Sequence, residues 1–61
     1  MLQLELTPRE ASILVQTLDT VLQELRTEIS HTDSHDYKEQ LKERQSVLER
    51  TRQALADLAG D

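Results

Sequence analysis

The stretch EISHTDSHDYKEQL, residues 28 to 41, gathers both histidines of the chain, its one tyrosine and a run of carboxylates and hydroxyls. Three roles are open to such a cluster. His31, Asp33, His35 and Asp36 could ligate zinc or a similar ion, because imidazole nitrogen and carboxylate oxygen are its common ligands. Ser30 beside His31, or Ser34 beside His35, could make a nucleophile with its base. The third role is not a reaction at all, since Ser, Asp and Thr are the residues that turn a chain and cap the helix that follows. Definite metal sites hold their ligands at fixed spacing on a formed element, with partners behind them to orient the rings. His31 and His35 instead flank a turn, so their i,i+4 spacing need not bring them to one face, and turn chemistry accounts for every residue of the cluster. The expectation is no metal, no cofactor and no catalytic residue, with His31, Asp33, His35 and Asp36 as the metal candidates to be located.

The elements on either side follow from the apolar spacing. In TPRE, Thr7 suits an N-cap, Pro8 the first helical position, where its missing N–H costs nothing, and Glu10 completes a capping box. Apolar residues then recur at Ala11, Leu14, Val15, Leu18, Val21, Leu22, Leu25 and Ile29, the period of a helix with a broad buried face. A second helix carries Tyr37, Leu41, Leu48, Leu55 and Leu58, with Gly60 placed as its C-terminal cap. Asp33 or Ser34 is its expected N-cap. The spacing thus predicts an extended arm over 1–7, helix 1 over 8–30, a turn over 31–34 and helix 2 over 34–59, in one domain over 1–61. At 1.5 Å per residue the helices span roughly 35 and 39 Å, which suits an all-α antiparallel two-helix hairpin.

Folding the chain about the turn sets Ile29 against Tyr37, Leu25 against Leu41, Leu22 against Arg44, Leu18 against Leu48, Val15 against Thr51 and Ala11 against Leu55. Both strings advance in alternating steps of three and four, the spacing of an antiparallel coiled-coil seam. Leu14 and Val21 fall to one side of it on helix 1. Val47, Ala54 and Leu58 fall to the same side on helix 2, with Gln40 and Thr51 at the margin. The opposite side carries Asp19, Arg26, Lys38, Lys42, Gln45, Glu49 and Arg52, a solvated face of mixed sign. One apolar face and one wet face imply a dimer, most simply a four-helix bundle, with Leu14, Val21, Val47, Thr51, Ala54 and Leu58 as its interface. Upstream, LQLEL alternates Leu2, Leu4 and Leu6 with Gln3 and Glu5 and reads as a short strand that either pairs with its symmetry mate or lies over Ile13.

Composition narrows the partners. A chain of 61 residues is close to the size at which one core stabilises a fold unaided, and with no cysteine it draws nothing from disulfides or thiolate zinc sites. Oligomerisation is the remaining device. A net charge of −5 repels nucleic acid and anionic membrane surfaces. No apolar run reaches the roughly 18 residues of a membrane span, and no leader pattern opens the chain. The cytoplasm is the expected location, with a second copy of the chain, and another protein, as the expected partners.

Three resemblances attach to particular stretches. LQLELTPRE is similar to the strand and first helix cap of ribbon-helix-helix DNA-binding proteins, which would send Gln3 and Glu5 into the major groove. Glu5 would be repelled there by phosphate, and helix 1 runs on without the early turn of that family. In length and architecture the chain also resembles the RNA-binding helical-hairpin dimer that controls plasmid copy number, but helix 1 offers only Arg9 and Arg26 among Glu10, Asp19, Glu24 and Glu28. Finally, ELRTEISHTDSHDYKEQLKER, Glu24 to Arg44, is similar to short uncharacterised bacterial helical-hairpin proteins with an ELRxEIxxTD turn; that resemblance implies the hairpin and no activity. A two-helix chain has no deep pocket in which carboxylates could be tuned for catalysis, so an enzyme is not expected. The sequence points to a small homo-oligomeric interaction module, adaptor or regulatory subunit, with a nucleic-acid-binding regulator as the alternative.

Overall fold

A computed structural model describes residues 5 to 60. Two α-helices, α1 (Pro8–His31) and α2 (His35–Ala59), pack side by side and antiparallel as a hairpin. The capping box forms as its residues dictate. The Glu10 backbone N–H donates to Thr7 Oγ1 at 3.1 Å, and the Thr7 N–H donates to Glu10 Oε1 at 2.9 Å. Helix α1 runs one residue past the expected end, because Thr32 takes the capping role and its N–H bonds the Glu28 carbonyl. Ser34 starts α2, its hydroxyl accepting from the Tyr37 N–H at 3.3 Å, and Asp36 lies in the first turn, where the helix dipole favours a carboxylate. Gly60 closes α2 at φ 85°, a left-handed conformation that costs glycine nothing.

The core is a single stripe. Ala11, Val15, Leu22 and Leu25 are buried from α1, and Leu41, Leu55 and Ala56 from α2. At the open end Ala11, Val15, Leu55 and Ala56 form one cluster, over which Leu6, Leu18 and Ala59 pack. Leu6 thus serves as a lid on the hairpin's open end. Among the described residues there is no strand: Glu5 to Thr7 have no regular structure, and Leu2, Gln3 and Leu4 lie outside the described residues.

The α1 half of the expected seam is observed, with Leu18 and Ile29 half-buried between the buried positions. The α2 half is corrected. Tyr37, Arg44 and Thr51 are exposed, and the half-buried positions beside Leu41, Leu48 and Leu55 are Lys38, Gln45, Arg52 and Ala59. Helix α2 has turned by about one position about its axis. Both phases use the same leucine ladder, so that ladder cannot choose between them. The observed phase brings in Ala56 and Ala59, whose small side chains let the helices approach against Ala11, and lets Arg52 reach Asp19 on α1. The stems of Lys38 and Arg52 can cover apolar surface while their charges stay in water.

The resulting body measures 40 × 25 × 13 Å, one helix thick. Its radius of gyration is 13.4 Å, against about 10.5 Å for a compact domain of this length. Leu41 has no exposed surface. Leu41→Ala should therefore cost about 2 to 5 kcal/mol, and Leu48→Ala, at a half-buried site, less. Lys42→Ala should cost almost nothing. Thermal melts at fixed protein concentration measure the series, and equal shifts for all three would put Leu41 outside the core.

Candidate interaction face

The histidine-carboxylate cluster is distributed around the turn. His31 is the last residue of α1, Asp33 lies in the turn, His35 opens α2 and Asp36 follows it, and all four side chains are exposed. Among the described residues no three His, Asp or Glu side chains stand close enough together to hold a metal ion. Two hydroxyls nearby hold the turn: Ser34 caps α2 as above, and Thr32 Oγ1 accepts from the Ser34 N–H at 3.4 Å, while Ser30 is exposed near the end of α1.

The two sides of the hairpin differ in chemistry. On one, ion pairs join the helices across the seam. Arg52 donates Nε to Asp19 Oδ1 and Nη2 to Oδ2, the latter at 3.3 Å, so the guanidinium grips the carboxylate with two donors. Arg26 Nη2 stands 3.5 Å from Glu49 Oε2, with both side chains well exposed, a pair worth at most about 1 kcal/mol. The hydrogen bond from Arg52 holds the Asp19 carboxyl below its ordinary pKa against the opposing desolvation, with the charges of Arg52 and then Arg26 adding to the effect. These pairs draw Arg26 and Arg52 onto acids of the same chain.

On the other side Tyr37 closes the loop end. Its hydroxyl donates to Glu28 Oε2 at 2.8 Å, and that hydrogen bond, reinforced by the Glu28 charge, raises the phenol pKa above 10.0 despite the partial opposition of Arg44. From there to the open end the surface carries exposed apolar residues from both helices, with Gln40 and Arg44 among them. Leu14 and Val21 are each 38% exposed, Val47 is 44% and Leu58 45% exposed, and Ala54 is exposed between them. Thr17 and Thr51 interrupt this strip less than their type implies. Each turns its hydroxyl onto the carbonyl four residues earlier, Ile13 at 3.0 Å and Val47 at 2.8 Å, and so satisfies its polar atom within its own helix.

Beside Val47 the α2 surface dips. The depression is lined by Gln40, Glu43, Arg44, Val47 and Leu48. The first four stand at i, i+3, i+4 and i+7, the outline of a hole that receives a side chain from a facing helix in coiled-coil packing. Sequence reasoning placed Arg44 and Tyr37 in the seam and so missed this hole. Its signal was present in the second heptad stripe of α2, Gln40, Arg44, Val47, Thr51, Ala54 and Leu58, once Arg44 is released from the seam.

Two titrations check the electrostatics. Ionising Tyr37 removes the proton it shares with Glu28, so the phenolate absorbance should rise with a midpoint above 10, and Glu28→Gln should bring it down. The stability Asp19 contributes is complete above its unfolded pKa, near 3.8, and is lost as pH falls through its lower folded value. Wild type and Asp19→Asn should therefore differ by a constant amount at neutral pH and converge only in acid below that value. Convergence already at neutral pH would mean that Arg52 does not hold the carboxylate in solution.

Comparison with protein-family models, with curated proteins and with solved structures finds no match to this chain.

Proposed function

We propose that this chain is a small protein-interaction module that works as a homodimer, two hairpins joined through the apolar side into a four-helix bundle. The observation that carries the reading is the exposure of Leu14, Val21, Val47, Ala54 and Leu58 on one side of the hairpin, with Thr51 among them. Scattered exposed apolar residues need no explanation, but a patch gathered on one side of a small body marks an interaction surface. The chain exposes 4922 Å², whereas a compact monomer of 7.0 kDa exposes about 4000 Å². The elongated body thus has surplus surface that packing against a second copy would reduce.

The bundle would leave the ion-paired sides and the outer helix faces in water, available to another protein as an adaptor or regulatory subunit would need. No catalytic step and no cofactor belong to this reading, and the cytoplasm is the setting it assumes. A nucleic-acid-binding regulator has less support, since Arg26 and Arg52 are already paired with Glu49 and Asp19. No helix of the described residues is long and apolar enough to cross a membrane.

Sedimentation equilibrium tests the proposal. The wild type should have twice the mass of one chain, and Val47→Glu should lower that mass by placing a charge in the contact. Ser46→Glu introduces the same side chain one residue away, off the apolar strip, and should leave the dimer intact. A wild-type mass of one chain with a stable helical circular-dichroism signal would refute the homodimer.

A further inference from the structure

We infer that the two hairpins pack with their loops at opposite ends, α2 against α2, so that Leu58 of each copy fills the hole between Gln40, Glu43, Arg44 and Val47 of the other. This rests on the homodimer proposed above and specifies how its two faces meet. Two face-to-face arrangements have twofold symmetry. With the axis along the hairpin, loops lie at the same end and each α1 sits over the α2 of the copy. With the axis across the hairpin, loops lie at opposite ends, and α1 faces α1 while α2 faces α2.

The position of the hole favours the second. The largest exposed side chain of the strip on α2 is Leu58, at 45% exposure, and it needs a socket. An axis crossing α2 at Thr51 carries Leu58 of the copy to a point opposite Arg44, over the depression, since each lies seven residues from Thr51. The same operation brings Ala54 of the copy beside Val47. On α1 the axis passes near Thr17: the Asp19–Arg52 pair joins the position two residues loopward of Thr17 to the position one residue beyond Thr51 toward the open end, which sets the two threonines within about one helical turn of the same level. There it sets Leu14 against Val21 of the copy. The two threonines at the axis are those whose hydroxyls are bonded back to Ile13 and Val47, so neither brings an unsatisfied hydroxyl into the contact. With the axis along the hairpin, Leu58 would instead meet α1 of the copy near the charged, exposed Glu10.

Charge adds an independent reason. The last turn of α2 contains Asp57 and no basic residue, so nothing of its own offsets the negative end of the helix dipole. The crossing at Thr51 brings Arg44 of the copy to that turn. Each α2 then supplies the cation that the other lacks, twice per dimer by symmetry.

The absence of native cysteine makes the geometry readable by disulfide trapping. Under mild oxidation, Thr51→Cys should form a covalent dimer with itself, and so should Thr17→Cys. An equimolar mixture of the two variants should yield only the two homodisulfides, because residues 17 and 51 of different copies lie on diagonal helices. Arg44→Glu should weaken dimerisation at least tenfold at low salt, with Arg44→Lys close to wild type. A Thr17–Thr51 heterodisulfide as the main product would overturn the orientation while leaving the dimer standing. No trapping by any pair, together with a single-chain mass in sedimentation, would overturn the dimer itself. Circular dichroism of each variant guards against reading an unfolded chain as a dissociated one.

Discussion

Two helices laid side by side can bury only one stripe each, and that geometric limit governs the rest of this hairpin. Helix α1 carries apolar residues across a wider arc than one seam covers. Ala11, Val15, Leu22 and Leu25 use the seam completely, and Leu14 and Val21 are left beside it. Helix α2 has fewer large aliphatic residues but the same difficulty, with Val47, Ala54 and Leu58 left over after Leu41 and Leu55 are buried. Among the described residues, in a body 13 Å thick, there is no third layer to cover them. The surplus is therefore a property of the two-helix architecture.

The polar residues determine which side the surplus falls on. A leucine every seven residues on α2 is compatible with two rotations of the helix. One would bury Tyr37, Arg44 and Thr51; the other half-buries Lys38, Gln45 and Arg52. The second allows the Arg52 guanidinium to hold Asp19 with two donors and Ala56 and Ala59 to close on Ala11. Individually these are small effects, as exposed ion pairs and alanine contacts are. They act on a choice that the large apolar terms leave nearly balanced, and in such a choice small terms decide. The consequence extends to the opposite side, where the same rotation sets out Arg44, Thr51 and Leu58 in one stripe with Val47 and Ala54.

Residues with chemical potential are used here for architecture. Ser34 and Thr32 cap and turn, and the histidines stand at the two helix ends, His31 closing α1 and His35 opening α2. Tyr37 spends its hydroxyl on Glu28, tying the first turn of α2 to the last turns of α1. Thr17, Thr20, Thr27 and Thr51 bond their own helices. In a chain with so little interior, polar side chains are satisfied locally because distant partners are few.

Much of this was legible in the sequence because it depends on local interactions. The capping box of Thr7 and Glu10, Pro8 at the helix start, Ser34 as N-cap and Gly60 at the end each act within a few residues, so their types alone determined two helices and a tight turn. The 3.6-residue period of α1 likewise determined its buried face and the surplus of Leu14 and Val21. The rotation of α2 was decided only by tertiary structure. Its leucine ladder is symmetric to the choice, and what breaks the tie lies far along the chain, with Asp19 meeting Arg52 and Ala11 meeting Leu55 and Ala56. For the same reason the hole beside Val47 could not be read in advance: it is exposed only once Arg44 has left the seam, and that depends on contacts with a different helix.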